Sequence, residues 1–125
     1  MIKAKEATIK VQSLAEFFKE SRKEAKEIDA GIFKPAKFVL TFTSARLMKK
    51  FLTEQRLRLL KTIRIKKPQS IYELAKISKR QMKSINRDVQ ILEELGLIEL
   101  KKQNGSRHRV CPKLLYDKIN IAIEI

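Results

Sequence analysis

The chain has 125 residues, 43% of them hydrophobic, which is enough for one domain with a modest core, too short for two and too apolar for a disordered segment. Its 29 Lys and Arg against 14 Asp and Glu give a net charge of +15, which favours a polyanionic partner. One cysteine excludes an internal disulfide, no apolar run nears a membrane span, and MIKAKEATIK lacks the apolar core of a signal peptide, so the expected location is a reducing cytoplasm.

Thr8–Gln12 alternates as a short strand, with Ile9 and Val11 on one side. An amphipathic helix is expected from Leu14 to about Ile28. Ser13 and Glu16 form an S-x-x-E capping box at its start, and Leu14, Phe17, Phe18, Ser21, Ala25 and Ile28 share one face. Its other face mixes Lys and Glu and reads as solvated. Ala30-Gly31 stops it, and Lys34-Pro35 belongs to a loop. Phe38–Phe42 alternates again as a strand. Ser44–Leu52 reads as a short helix burying Leu47, Met48 and Phe51. Thr53 can cap a further helix running to about Ile65, with Leu57, Leu60 and Ile63 or their neighbours inward, and Pro68 prevents it continuing.

Residues 70–100, SIYELAKISKRQMKSINRDVQILEELGLIEL, carry the most information. Ser70 and Glu73 make another capping box, and Ile71, Leu74 and Ala75 give the helix after it an apolar face. A second helix is expected from about Gln81 to Leu95, with Met82, Ile85, Val89 and Leu92 inward and Gly96 where a left-handed residue is cheapest. At 100° per residue the opposite face carries Arg80, Lys83, Ser84 and Arg87. A helix that sits in a DNA major groove needs these two sides, one to bury and one offering donors and positive charge.

Leu97–Lys102 reads as a strand, Asn104-Gly105 as a hairpin turn, and Arg107–Cys111 as the returning strand. Lys101, Lys102, Arg107, His108 and Arg109 surround the tip. Three helices followed by a basic-tipped hairpin is the order of a winged helix-turn-helix, and the expected class is α+β, mainly α. The ending KINIAIEI alternates strictly, with Ile119, Ile121, Ile123 and Ile125 on one side. Such a strand must pair with something: Thr8–Gln12, Phe38–Phe42, or the same segment of a second subunit. The expected division is residues 1–37 as an N-terminal strand and helix for dimerisation or core capping, 38–113 as the DNA-binding part, and 114–125 as a terminal strand of the same domain.

The charge follows this division. Residues 1–30 hold seven basic and six acidic groups, residues 114–125 are net −1, and residues 31–113 hold 21 basic against six acidic. Arg80, Gln81, Lys83, Ser84 and Arg87 are the candidates on the reading helix, with Arg87 best suited to a guanine edge. Lys79, Asn86 and Gln90 are supporting candidates, and Lys102, Asn104, Arg107, His108 and Arg109 are wing candidates for backbone or minor groove. An ion pair of Arg87 with Glu94 or Asp88 is the competing reading. With one His and one Cys, no zinc site is expected. Cys111 lies three residues from His108, but nothing supplies an orienting third group or an oxyanion site, so no catalysis and no cofactor are expected.

The stretch LTEQRLRLLKTI, the 70–100 segment and the basic hairpin resemble MarR/ArsR-like winged-helix transcription regulators. FTSARLMKKFLTEQRLRLL, NRDVQILEELGLIEL and PKLLYDKINIAIEI look more narrowly like small prokaryotic DNA-binding regulators, a group that includes antitoxin-type proteins encoded beside a toxin. The resemblance implies double-stranded DNA as partner, a homodimeric repressor on a short pseudo-palindrome and, as an alternative, an autoregulating antitoxin that neutralises a toxin protein. Leu14, Phe17, Phe18, Ile28, Ile119, Ile121 and Ile123 are the interface candidates. The chain departs from the pattern at the turn: Ser78-Lys79 stands where Leu-Gly is usual, and Gln81 occupies the cap. Either Ser78 caps an earlier start or the turn is irregular.

Overall fold

A computed structural model describes residues 6–31, 38–102 and 109–123. It is α+β and mainly helical. The elements are β1 (Glu6–Val11), α1 (Leu14–Asp29), β2 (Phe38–Phe42), α2 (Ala45–Phe51), α3 (Glu54–Lys66), α4 (Ile71–Ser78), α5 (Met82–Glu94), β3 (Ile98–Lys102), β4 (Val110–Leu114) and β5 (Lys118–Ile123). Lys34-Pro35, the Asn104-Gly105 turn, Arg107, His108 and Ile125 lie outside the described residues. No described helix is long and apolar enough to cross a membrane.

Internal contacts divide the described residues into two compact units, one within residues 51–117 and one within residues 6–50 with 118–123. The boundaries follow strand pairing, which takes β2 and β5 into one sheet with β1, rather than the breaks expected after residues 37 and 113.

In the sheet unit the strand order is β2-β1-β5, and both pairings are parallel. The terminal strand therefore takes the first of its three possible partners. Ala7, Ile9 and Val11 stand level with Phe38, Leu40 and Phe42 on one side and with Ile119, Ile121 and Ile123 on the other. Residues level across neighbouring strands point the same way, so one face of the sheet is wholly apolar. α1 begins where the capping box places it, with Ser13 Oγ accepting from Glu16 N–H at 3.2 Å. None of its residues is buried, and Leu14, Phe17, Phe18 and Ile28 are 40 to 61% exposed. In α2 only Met48 is buried; Leu47 is exposed and Phe51 half-buried, because one seven-residue helix presents too narrow a stripe to bury all three.

In the helical unit Thr53 Oγ1 caps α3 by accepting from Arg56 N–H at 3.2 Å, and Ser70 Oγ caps α4 by accepting from Glu73 N–H at 3.0 Å. Leu59, Leu60 and Ile63 of α3, Leu74 and Ala75 of α4, Ile85, Val89 and Leu92 of α5, and Leu97 and Ile98 form its core. Leu57 is exposed: Leu59 takes the inward position on the α3 stripe. Met82 is also exposed, since it opens the first turn of α5 while the packed part of the stripe starts at Ile85. β3 and β4 pair antiparallel, Ile98 with Leu114 through Lys102 with Val110.

The connection between α4 and α5 resolves the irregular turn. Lys79 closes α4 in a left-handed conformation, φ 55°, with Lys79 N–H to Lys76 O at 3.3 Å and Arg80 N–H to Ala75 O at 3.1 Å. Those two bonds make a Schellman motif. Gly96 ends α5 the same way, with Gly96 N–H to Glu93 O and Leu97 N–H to Leu92 O. Ser78 caps nothing, and Gln81 occupies the N-cap of α5 without a side-chain hydrogen bond. A side chain at Lys79 carries the steric cost of positive φ. Lys79→Gly is therefore expected to stabilise the fold by about 0.5–1 kcal/mol in urea titration, and a loss of stability would contradict this account.

Candidate nucleic-acid interface

α5 contributes one buried stripe and one polar side. Lys83, Arg87 and Gln90 are exposed, and Ser84 and Asn86 are half-buried at the margins. Gln81 and Lys79 lead into the helix and are exposed. All of these sequence candidates fall on or directly before one helix, so a single rigid element positions them. Lys102 and Arg109 are exposed where β3 ends and β4 begins, at the connected end of the ladder. Asn104, Arg107 and His108 are outside the described residues.

Arg80 occupies a different place. Its Nη2 donates to Asp88 Oδ2 at 2.7 Å, while Arg56 Nε of α3 donates to Asp88 Oδ1 at 3.0 Å. Arg56 Nη1 also donates to Phe51 O at 2.9 Å. The Asp88 side chain is only 8% exposed, with Arg56 at 13% and Arg80 at 23%. One carboxylate thus uses both oxygens on two guanidinium groups from different elements, and so fixes α5 against the start of α3 and the turn. Asp88 therefore does not pair with Arg87, and neither does Glu94. Arg87 has no ion-pair or hydrogen-bond partner among the described residues.

Arg56 is the participant that the sequence reading missed. A signal for it existed. Asp88 stands among Ile85, Val89 and Leu92 on the inward stripe, and a carboxylate there requires cations to hold it. Nothing local says which of 29 cations those are.

Thr53, Glu54, Gln55, Arg56, Arg80, Ser84, Arg87 and Asp88 line an open cleft of about 420 Å³. It lies alongside the polar side of α5, and Arg87 and Ser84 belong to both. Chemically the surface offers hydrogen-bond donors and fixed positive charge. Cys111 is buried, its Sγ 3.5 Å from Pro68 O. Among the described residues no three His, Cys, Asp or Glu side chains gather as metal ligands.

The helical unit is thus a class of α+β scaffold in which a capped helix pair and an antiparallel hairpin present one basic helix face. Residues 51–121, more than half of the chain, match the model of the HVO_A0114 family, and the chain belongs to that family. No curated protein and no solved structure matches it.

Proposed function

We propose that the protein is a sequence-specific DNA-binding transcription regulator of the MarR/ArsR-like winged helix-turn-helix type. It acts without catalysis or cofactor, in the cytoplasm, as a homodimeric repressor on a short pseudo-palindromic operator. α4 and α5 are the helix-turn-helix, β3–β4 is the wing, and repression is by occlusion. One observation carries the reading: α5 buries Ile85, Val89 and Leu92 while Lys83 and Arg87, the latter without a partner among the described residues, stay on its open side. In this reading Arg87 reaches a base edge, Lys83 and Ser84 hold phosphates, and Lys102 and Arg109 steady the flank.

Arg87→Ala is expected to cost about 1–3 kcal/mol on a selected operator and to flatten base preference there. Lys102→Ala should weaken all sequences alike. Binding titrations on operator and scrambled duplexes separate the two effects. Unchanged affinity and preference for Arg87→Ala would remove α5 from the groove.

A second reading, an antitoxin that also binds a toxin protein, is favoured by the α1 stripe. Leu14, Phe17, Phe18 and Ile28 form an apolar face that stays exposed among the described residues. Co-expression with the product of any small adjacent reading frame tests it: a stable complex supports this reading, and failure to co-purify counts against it.

A further inference from the structure

A second cleft, of about 640 Å³, lies within the helical unit and is lined from the end of α3, the α3–α4 connection and β4. It shares no described lining residue with the cleft beside α5. Its volume falls within the roughly 300–1,000 Å³ usual for small-molecule sites. The lining has two parts. Ile63, Pro68, Cys111 and Pro112 are buried and give the cleft an apolar base. Arg64, Lys67 and Lys113 are exposed and bring three cations to it, against one carboxylate, Asp117, among the described lining residues.

The side chains of these three cations have no hydrogen-bond or ion-pair partner among the described residues. Neither has Asp117, although all four line the same cleft. A concave surface lined by one sign of charge focuses its field inward and concentrates counter-ions there. The dipole of α3 accounts for cations at its end, Arg64 and Lys67, but not for Lys113, which comes from a strand. Lys67 also holds its place at a conformational cost, since its φ of 47° is left-handed and glycine would adopt it more cheaply. An occupant must match both parts of the lining, with an anionic head for the cations and a short apolar body for the base. None of the described lining residues is aromatic, so a nucleobase would find no ring to stack on.

We propose that this cleft binds a small organic carboxylate, its apolar body against Ile63, Pro68, Cys111 and Pro112 and its carboxylate among Arg64, Lys67 and Lys113. The site is separate from DNA binding by α5 and does not depend on it.

Titration of the isotope-labelled full chain with hexanoate, hexanamide and hexylamine, followed through amide chemical shifts, tests it. The three probes share an apolar body and are anionic, neutral and cationic. Hexanoate should give saturable shifts at the amides of Lys67, Gln69, Cys111 and Lys113, with the millimolar affinity expected of so small a molecule. Hexanamide should bind about tenfold more weakly, and hexylamine not at all. Lys113 and Asp117 are exposed and without partners among the described residues, so substituting them removes no core contact. Lys113→Ala should weaken hexanoate about tenfold, and Asp117→Asn should tighten it. Lys67→Gly should weaken hexanoate while raising stability against urea, which separates loss of binding from loss of fold. Shifts spread over the basic surface, or rising without saturation, would mean attraction to the net charge alone and overturn the site. Equal binding of hexanamide overturns the anionic class, as does hexanoate affinity unmoved by both Lys67→Gly and Lys113→Ala. Absence of shifts in the cleft with every probe overturns the proposal outright.

Discussion

Asp88→Ala is expected to destabilise the protein by about 3–5 kcal/mol, the loss typical of leaving one side of a buried ion pair without its counter-charge. Two guanidinium groups lose their counter-charge at once, because Arg56 and Arg80 both donate to this carboxylate and both are largely withdrawn from water. Asp88→Asn should recover little, since the shape is kept but the charge is lost. Against a total stability of about 5–15 kcal/mol for a domain of this size, either change is severe. Urea unfolding followed by circular dichroism gives the number. A loss below about 1 kcal/mol would mean that the pairs are loose, surface-like contacts. Replacing all three residues together, Arg56→Met with Arg80→Leu and Asp88→Leu, separates the charge cost from the geometry. That variant should lie close to the parent in stability, because a buried triad often gives no advantage over apolar residues of similar volume.

Binding to duplex DNA should collapse with salt. With about six phosphate contacts, log K falls by about 0.9 per contact for each unit of log salt, so affinity drops about a thousandfold between 50 and 200 mM. The charge of +15 makes attraction at low salt unsurprising, and the slope carries the information. Lys83→Ala and Lys102→Ala should each reduce the slope by about one contact. Fluorescence anisotropy on one duplex across a salt series measures it. Absence of binding at 50 mM, or affinity indifferent to salt, would end the nucleic-acid reading of α5.

Local signals in the sequence were legible, and distant pairings were not. The caps at Ser13, Thr53 and Ser70 need only a hydroxyl and an amide three residues on, and each has that bond. Gly96 ends α5 for an equally local reason. Lys79 shows the limit: the left-handed position is occupied without glycine, so residue type alone did not mark the turn. The inward stripes were right in their middles. They erred at Met82, Leu57 and Leu47, where periodicity continues but the packed neighbours do not. The alternation of β5 was evident, yet its pairing with β1 joins residues more than 100 apart, and three partners satisfied the same pattern. The polar side of α5 was readable by rotation. The engagement of Arg80 was not, because Arg56 lies 32 residues before the Asp88 carboxylate they share.

The two units differ in how the chain runs through them. Residues 51–117 are contiguous, so the helical unit needs no residue after 117 for its internal contacts. The sheet unit is split, and the whole of the helical unit lies in the chain between β1 and its partner β5. Closing so long a loop costs about 4 kcal/mol of chain entropy, a cost the early β1–β2 pair does not bear in full. Until residues 118–123 join it, β1 pairs with β2 alone and keeps its other edge open. The basic helix face therefore belongs to a unit that does not need β5 to close its own core.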